Sequence, residues 1–171
     1  MKNRILVSVM LIPAIMFFLA SCGSSNRITV EDNLEEIVNT RFSSFLGGRH
    51  SIADFEGKIV VLDFWETWCT PCLITFPGFQ RAIDDFPDKI VVLAATPGWS
   101  NSAEDVRKFA AEHDYDFIYV EAGRLSRQLG IRAIPYKIII APDGSLVSHG
   151  SGTRGADAEY QALANLVEKY F

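Results

Sequence analysis

Cysteine and histidine are scarce in this chain, three of each among 171 residues. Structural zinc needs four such ligands at short paired spacings, and only Cys69 and Cys72 are spaced that way. Cys22, His50, His113 and His149 stand apart and supply no second pair, so half of a zinc site is the weaker reading of the cysteine pair. No metal and no organic cofactor is expected. Basic residues are also in deficit, 16 Lys and Arg against 21 Asp and Glu, and the formal charge of −5 argues against nucleic acid as a partner. The one extended apolar run, Ile5 to Leu19, is shorter than the roughly 20 residues a membrane span requires, and Pro13 interrupts it. Internal repeats and low-complexity tracts are missing too.

What is present at the N-terminus reads as a targeting signal: basic Lys2 and Arg4, the apolar run, then Leu19-Ala20-Ser21-Cys22. An uncleaved membrane helix is the alternative, and the run's length and proline count against it. Those last four residues resemble a bacterial lipobox. The expectation is export, removal of residues 1–21 as a lipoprotein signal peptide, and lipidation of Cys22. Gly23-Ser24-Ser25-Asn26 would serve as a flexible tether. The protein would then be extracytoplasmic, lipid-anchored to a bacterial membrane and facing the periplasm. Loss of Lys2 and Arg4 takes the formal charge from −5 to −7. About 150 residues remain, the size of one domain with a real core. Residues 22–41 form the tether and an N-terminal extension, and 42–171 the domain.

Along the chain, strand patterns alternate with helix patterns, which predicts an α/β sheet with helices on both faces. Arg27 to Val30 reads as a strand and Asp32 to Asn39 as a short helix with Leu34, Ile37 and Val38 on one face. Gly47-Gly48 marks a hairpin turn between Phe42 to Phe45 and His50 to Ile52. Ile59 to Phe64 is a buried strand and Lys89 to Ala95 another. Ser102 to Asp105 opens a helix with a capping box and ends it near Asp114. Phe117 to Val120, a short helix from Arg124 to Leu129 stopped by Gly130, and a hairpin around Pro142-Asp143-Gly144 follow. Ala156 to Phe171 is amphipathic.

The chemistry concentrates in Trp65-Glu66-Thr67-Trp68-Cys69-Thr70-Pro71-Cys72. A buried strand feeds a helix that starts at a thiol. The free N–H groups and positive dipole end of a helix favour a thiolate, so Cys69 is the expected nucleophile. Cys72 lies one turn on and points the same way. The two sulfurs can close into a disulfide and reopen, as thiol–disulfide exchange requires.

Four stretches resemble the thioredoxin superfamily, and more closely its extracytoplasmic TlpA/ResA-type thiol–disulfide oxidoreductases, over residues 42–171. They are Asp63-Phe64-Trp65, Trp68 to Cys72, Pro77 five residues beyond, and Gly130-Ile131-Arg132-Ala133-Ile134-Pro135. Phe55 to Leu62, a Gly57-Lys58 turn into the strand, points to the TlpA/ResA branch. The resemblance implies a thioredoxin-like fold, a mixed central sheet with helices on both faces, here with an added N-terminal hairpin. It also implies that Asp63 takes the proton from Cys72, with a hydrogen-bonded structural acid as the alternative. It gives Pro77 as a helix kink, a cis Ile134-Pro135 bond against the active site, and substrate contacts at Trp68, Thr70, Pro71, Ile134 and Pro135. Implied partners are protein thiols and disulfides and a membrane-bound or exported electron donor.

Two residues depart from the family pattern. Glu66 stands where alanine or glycine is usual, and the expectation is a solvated side chain, the alternative being one that lines the thiol site and disfavours its thiolate. Thr75 replaces a frequent glutamate, which weakens an assignment to cytochrome c maturation. Trp65 is expected in the core, Trp99 at the tip of a partner-contacting loop, and the three histidines at the surface. A disulfide reductase is the reading adopted. A disulfide oxidase and a binding module that holds partners without turnover are the alternatives.

Overall fold

The computed structural model describes residues 29–171. The expected signal peptide, the lipidated Cys22, the tether and the first half of the Arg27 to Val30 strand lie outside the described residues. The second half of that strand is not one: Val30 opens a turn. The cause is local. The Thr29 hydroxyl accepts from Asp32 N at 3.2 Å and donates to its carboxylate at 2.8 Å, while Asn33 Nδ2 donates to Thr29 O at 3.1 Å. Such side-chain bonds give the backbone an alternative to a ladder. The turn leads into α1 (Leu34–Asn39), which buries Ile37 as the periodicity predicted.

Next come the hairpin strands β1 (Phe42–Ser44) and β2 (Arg49–His50), then a 3₁₀ turn at Ile52–Phe55. Gly47 and Gly48, with φ of 108° and 83°, make the reversal between them. The central strand β3 (Ile59–Phe64) is followed by α2 (Thr70–Asp85), β4 (Ile90–Thr96), α3 (Ala103–Glu112) and β5 (Ile118–Glu121). α4 (Gly123–Gln128), β6 (Tyr136–Ile140), β7 (Leu146–Ser151) and α5 (Ala156–Tyr170) complete the order. β7 starts only at Leu146 because Asp143 Oδ1 accepts from both the amide and hydroxyl of Ser145, which keeps Ser145 in the turn. Ser102 and Asp105 form the expected capping box at α3.

The seven strands form one mixed sheet in the order β2-β1-β5-β4-β3-β6-β7, with β3, β4 and β5 parallel and β1, β6 and β7 antiparallel to their neighbours. Every residue of β3 is buried, because helices cover both faces. Ile59, Val61 and Trp65 pack with Phe76, Phe79, Val106, Phe109, Leu163 and Val167, from α2, α3 and α5. Val60, Leu62 and Phe64 face the other way, onto Ile37 of α1, Ile52 and Leu125 of α4. Asp63 follows the first register, on the face that α2, α3 and α5 cover.

α2 and α5 pack so closely that a Cβ at Gly78 would fall on the Ala156 carbonyl. Propensity alone would make alanine about 1 kcal/mol better than glycine inside a helix. Sterics reverse that sign. Gly78→Ala is expected to lower the unfolding free energy by about 1–3 kcal/mol, the usual cost of overpacking, read as a lower urea midpoint. A higher midpoint would mean that the two helices part without cost.

Candidate active site

β3 ends at Phe64, and the chain turns through Glu66 and Trp68 into α2, whose N-cap is Cys69. The Cys69 sulfur accepts the amide hydrogen of Cys72 at 3.3 Å, using one of the amides left free at a helix start. Cys69 and Cys72 are joined as a disulfide with Cα atoms 5.3 Å apart. Both are buried, Cys69 at 2 % exposure and Cys72 at 0 %. Thr70 and Pro71 between them are exposed, and Trp68 beside them keeps 58 % of its surface in solvent.

The Ile134-Pro135 bond is cis, as the resemblance implied. Tyr136, the next residue, pairs with Phe64, so this bend sits at the end of the sheet where the cysteine loop begins. Ile134 is half-buried and packs on the cluster that holds both cysteines. Pro77 lies inside α2 and Trp65 is fully buried among Phe76, Phe109 and Tyr119. The Thr75 hydroxyl is turned inward and donates to the Cys72 carbonyl at 2.6 Å.

Asp63 is fully buried, and neither carboxylate oxygen has a hydrogen-bond partner among the described residues. Removal from water drives its carboxyl up from an ordinary 3.8 to about 8, with the Lys137 ammonium pulling the other way and Glu159 adding to the rise. Lys137 is its register partner on β6, so the two side chains leave the same face of adjacent strands. Lys137 Nζ donates to Glu159 Oε1 of α5 at 2.8 Å and to Gly152 O at 2.9 Å, with only 12 % and 6 % of the two charged side chains exposed. This ion pair was missed in the sequence. A lysine in the otherwise apolar Tyr136 to Ile140 strand was the available signal.

Glu66 corrects an expectation. It is fully buried rather than solvated. Oε1 accepts from the amides of Trp99 at 3.0 Å and Ser100 at 3.3 Å. Oε2 accepts from Asn101 N at 2.8 Å, Ser100 Oγ at 2.8 Å and Trp68 Nε1 at 3.2 Å. The reason is topological: β3 and β4 run parallel, so the loops that follow them lie side by side and the β4 loop's amides converge on the carboxylate. Trp99, on that loop, is 42 % exposed.

His149 bridges Glu31 and the Tyr136 hydroxyl, at 2.8 and 2.7 Å. His113 stacks on Phe109, and His50 on Phe55.

The profile of the AhpC/TSA family matches residues 35–149. The thiol-disulfide oxidoreductase ResA of Bacillus thuringiensis is 25% identical over 162 residues, covering 88% of this chain and 90% of that protein. Among solved structures, the pneumococcal exposed lipoprotein thioredoxin of Streptococcus pneumoniae is 28% identical, with a TM-score of 0.61 over 74% of this chain and 98% of its own. A secreted disulfide oxidoreductase of Mycobacterium tuberculosis shares the fold, with a TM-score of 0.65 at 15% identity, over 78% of this chain and 98% of its own.

Proposed function

The chain belongs to the AhpC/TSA family and is a thiol–disulfide oxidoreductase, and from this premise we propose that it is tethered to a membrane and reduces disulfides of extracytoplasmic proteins. The observation that carries the chemistry is the Cys69–Cys72 disulfide at the start of α2, on the sheet face where Asp63 is buried with no hydrogen-bond partner among the described residues. In the reduced enzyme, the Cys69 thiolate attacks one sulfur of a client disulfide and the other client sulfur leaves as a thiolate. Cys72 gives its proton to Asp63 and attacks the Cys69 sulfur, the second client sulfur leaves, and the enzyme disulfide re-forms. Two electrons have passed to the client, and a membrane-bound or exported thiol donor restores them. The scheme draws on no metal or organic cofactor. Trp68, Thr70, Pro71, Ile134 and Pro135 contact the client, the cis bend offering its backbone to an extended segment by strand addition.

Leu19-Ala20-Ser21-Cys22 supports tethering, and the pneumococcal relative is itself an exposed lipoprotein. In this reading residues 1–21 are removed, 22–41 carry the lipid and the extension, and 42–171 perform exchange. Mass spectrometry of the mature protein should find cleavage before Cys22 and acylation on it; an unmodified Cys22, or a retained Met1 to Ser21 segment, would count against the anchor. Direction is tested separately. Equilibration with a glutathione or dithiothreitol couple should give a potential near that of thioredoxin, about −270 mV, whereas one near −120 mV would make the enzyme an oxidase.

A further inference from the structure

Five donors converge on one buried carboxylate that the exchange reaction does not consume. The Glu66 side chain takes the backbone amides of Trp99, Ser100 and Asn101, the Ser100 hydroxyl and the Trp68 indole N–H. The same indole N–H lies 2.7 Å from Ser100 Oγ, so tryptophan, serine and glutamate form a closed triangle. A second tie joins the loops, with the Thr67 hydroxyl 2.9 Å from the Asn101 side-chain amide. Ordering a loop of Trp, Ser and Asn costs backbone entropy, and nothing in the two-thiol chemistry requires it. What the ordering achieves is visible at the surface. Trp68, the neighbour of Cys69, is held by its indole at one end of the carboxylate, and the loop that carries the partly exposed Trp99 is held by its backbone amides.

The charge itself is compensated by its own hydrogen bonds. Amide, hydroxyl and indole hydrogens account for both oxygens, and charge-assisted bonds of this kind are about twice as strong as neutral ones. Compensated in this way, Glu66 is poorly placed to suppress the Cys69 thiolate through space.

We propose that Glu66 is a positioning residue that sets the Trp68 indole beside Cys69 and the backbone of the loop carrying Trp99, and that the two tryptophans so presented select protein disulfides flanked by an apolar side chain over small disulfides. The proposal rests on the exchange reading above and adds the determinant of its client preference. Tryptophans are enriched among the residues that dominate binding energy, and setting their rotamers beforehand lowers the ordering cost of contact. An amide in place of the carboxylate keeps the size but turns one acceptor into a donor, which then opposes two or three of the five hydrogens.

The test compares two substrates of the mature protein, reduced insulin formation from insulin as a protein disulfide and thiolate release from an aromatic small disulfide. Glu66→Gln is expected to raise KM for insulin about tenfold with kcat little changed, and to lower the ratio of insulin to small-disulfide turnover by the same factor. The dithiol potential should stay where it is, and tryptophan fluorescence anisotropy should fall as Trp68 is released. Trp99→Ala, a change at the surface, should reproduce the KM rise, which guards against misfolding of the buried variant. An equal loss on both substrates, or a shifted potential, would mean that Glu66 acts through the sulfur and would overturn the proposal. So would unchanged kinetics in both variants. A wild-type protein that reduces neither substrate would instead overturn the exchange reading, and this inference with it.

Discussion

Asp63→Asn should make the folded oxidised protein more stable at neutral pH and, once reduced, slower to release its client. The stability arm follows from linkage. A carboxyl with a folded value of about 8 against an ordinary 3.8 keeps its proton in the folded state over a range where the unfolded chain has lost it. Its contribution is fully present below the unfolded value and is lost as pH rises through the folded one, at up to about 1.4 kcal/mol per unit. Asparagine carries no such proton. The variant and the wild type should therefore be equally stable near pH 4, diverge through neutrality to roughly 4 kcal/mol at pH 7, and run parallel above pH 8. Urea melts across that range measure it. A variant less stable than the wild type at neutral pH, with resolution unchanged, would mean that Asp63 is a hydrogen-bonded structural acid.

The kinetic arm uses the same number. A base poised near the working pH is the most effective acceptor of a thiol proton. Loss of that base should slow resolution of the mixed disulfide by about 10²–10⁴-fold in a single-turnover assay, while the first attack by Cys69 is retained. Normal resolution in the well-folded variant would leave the two cysteines as the only catalytic groups.

Cys72→Ser should accumulate mixed disulfides with client proteins on nonreducing gels, and Cys69→Ser should show none and lose exchange altogether. The asymmetry comes from where the helix starts. Cys69 caps a 16-residue helix and its sulfur already accepts a backbone N–H, so a thiolate there gains from the amides and the dipole. Cys72 lies within the first turn, fully buried. Serine at position 72 removes the resolving sulfur and leaves the attacking one intact. Trapping by Cys69→Ser alone, or equally by both variants, would reverse the assignment.

These expectations divide by how far apart in sequence their causes lie. The β3 strand, the Ser102–Asp105 capping box, the hairpin glycines and the Gly130 stop, with φ of 64°, are local, and the residues concerned announced them. The dithiol was equally plain. Glu66 was misread because the donors that bury it belong to residues 99–101 on another loop, joined only once β3 and β4 lie parallel. Lys137 and Glu159 went unnoticed for the same reason. One sits on a strand and the other on a helix, and only the packing of α5 over β6 unites them. Thr29-Val30 failed in the opposite way, since short polar side chains overrode a β-branched pair that looked like a strand.

The order of the sheet carries one more consequence. Its outermost strands are β2, two residues long, and β7, which holds Ser148, His149, Gly150 and Ser151 and whose pairing is interrupted between Ile139 and Ile140. Neither offers the long, flat, apolar margin onto which a neighbour could zip. Under the proposed Cys22 anchor, copies would share a plane, where surface concentration multiplies every weak sideways contact. Polar, irregular margins let many copies stand side by side without polymerising into ribbons.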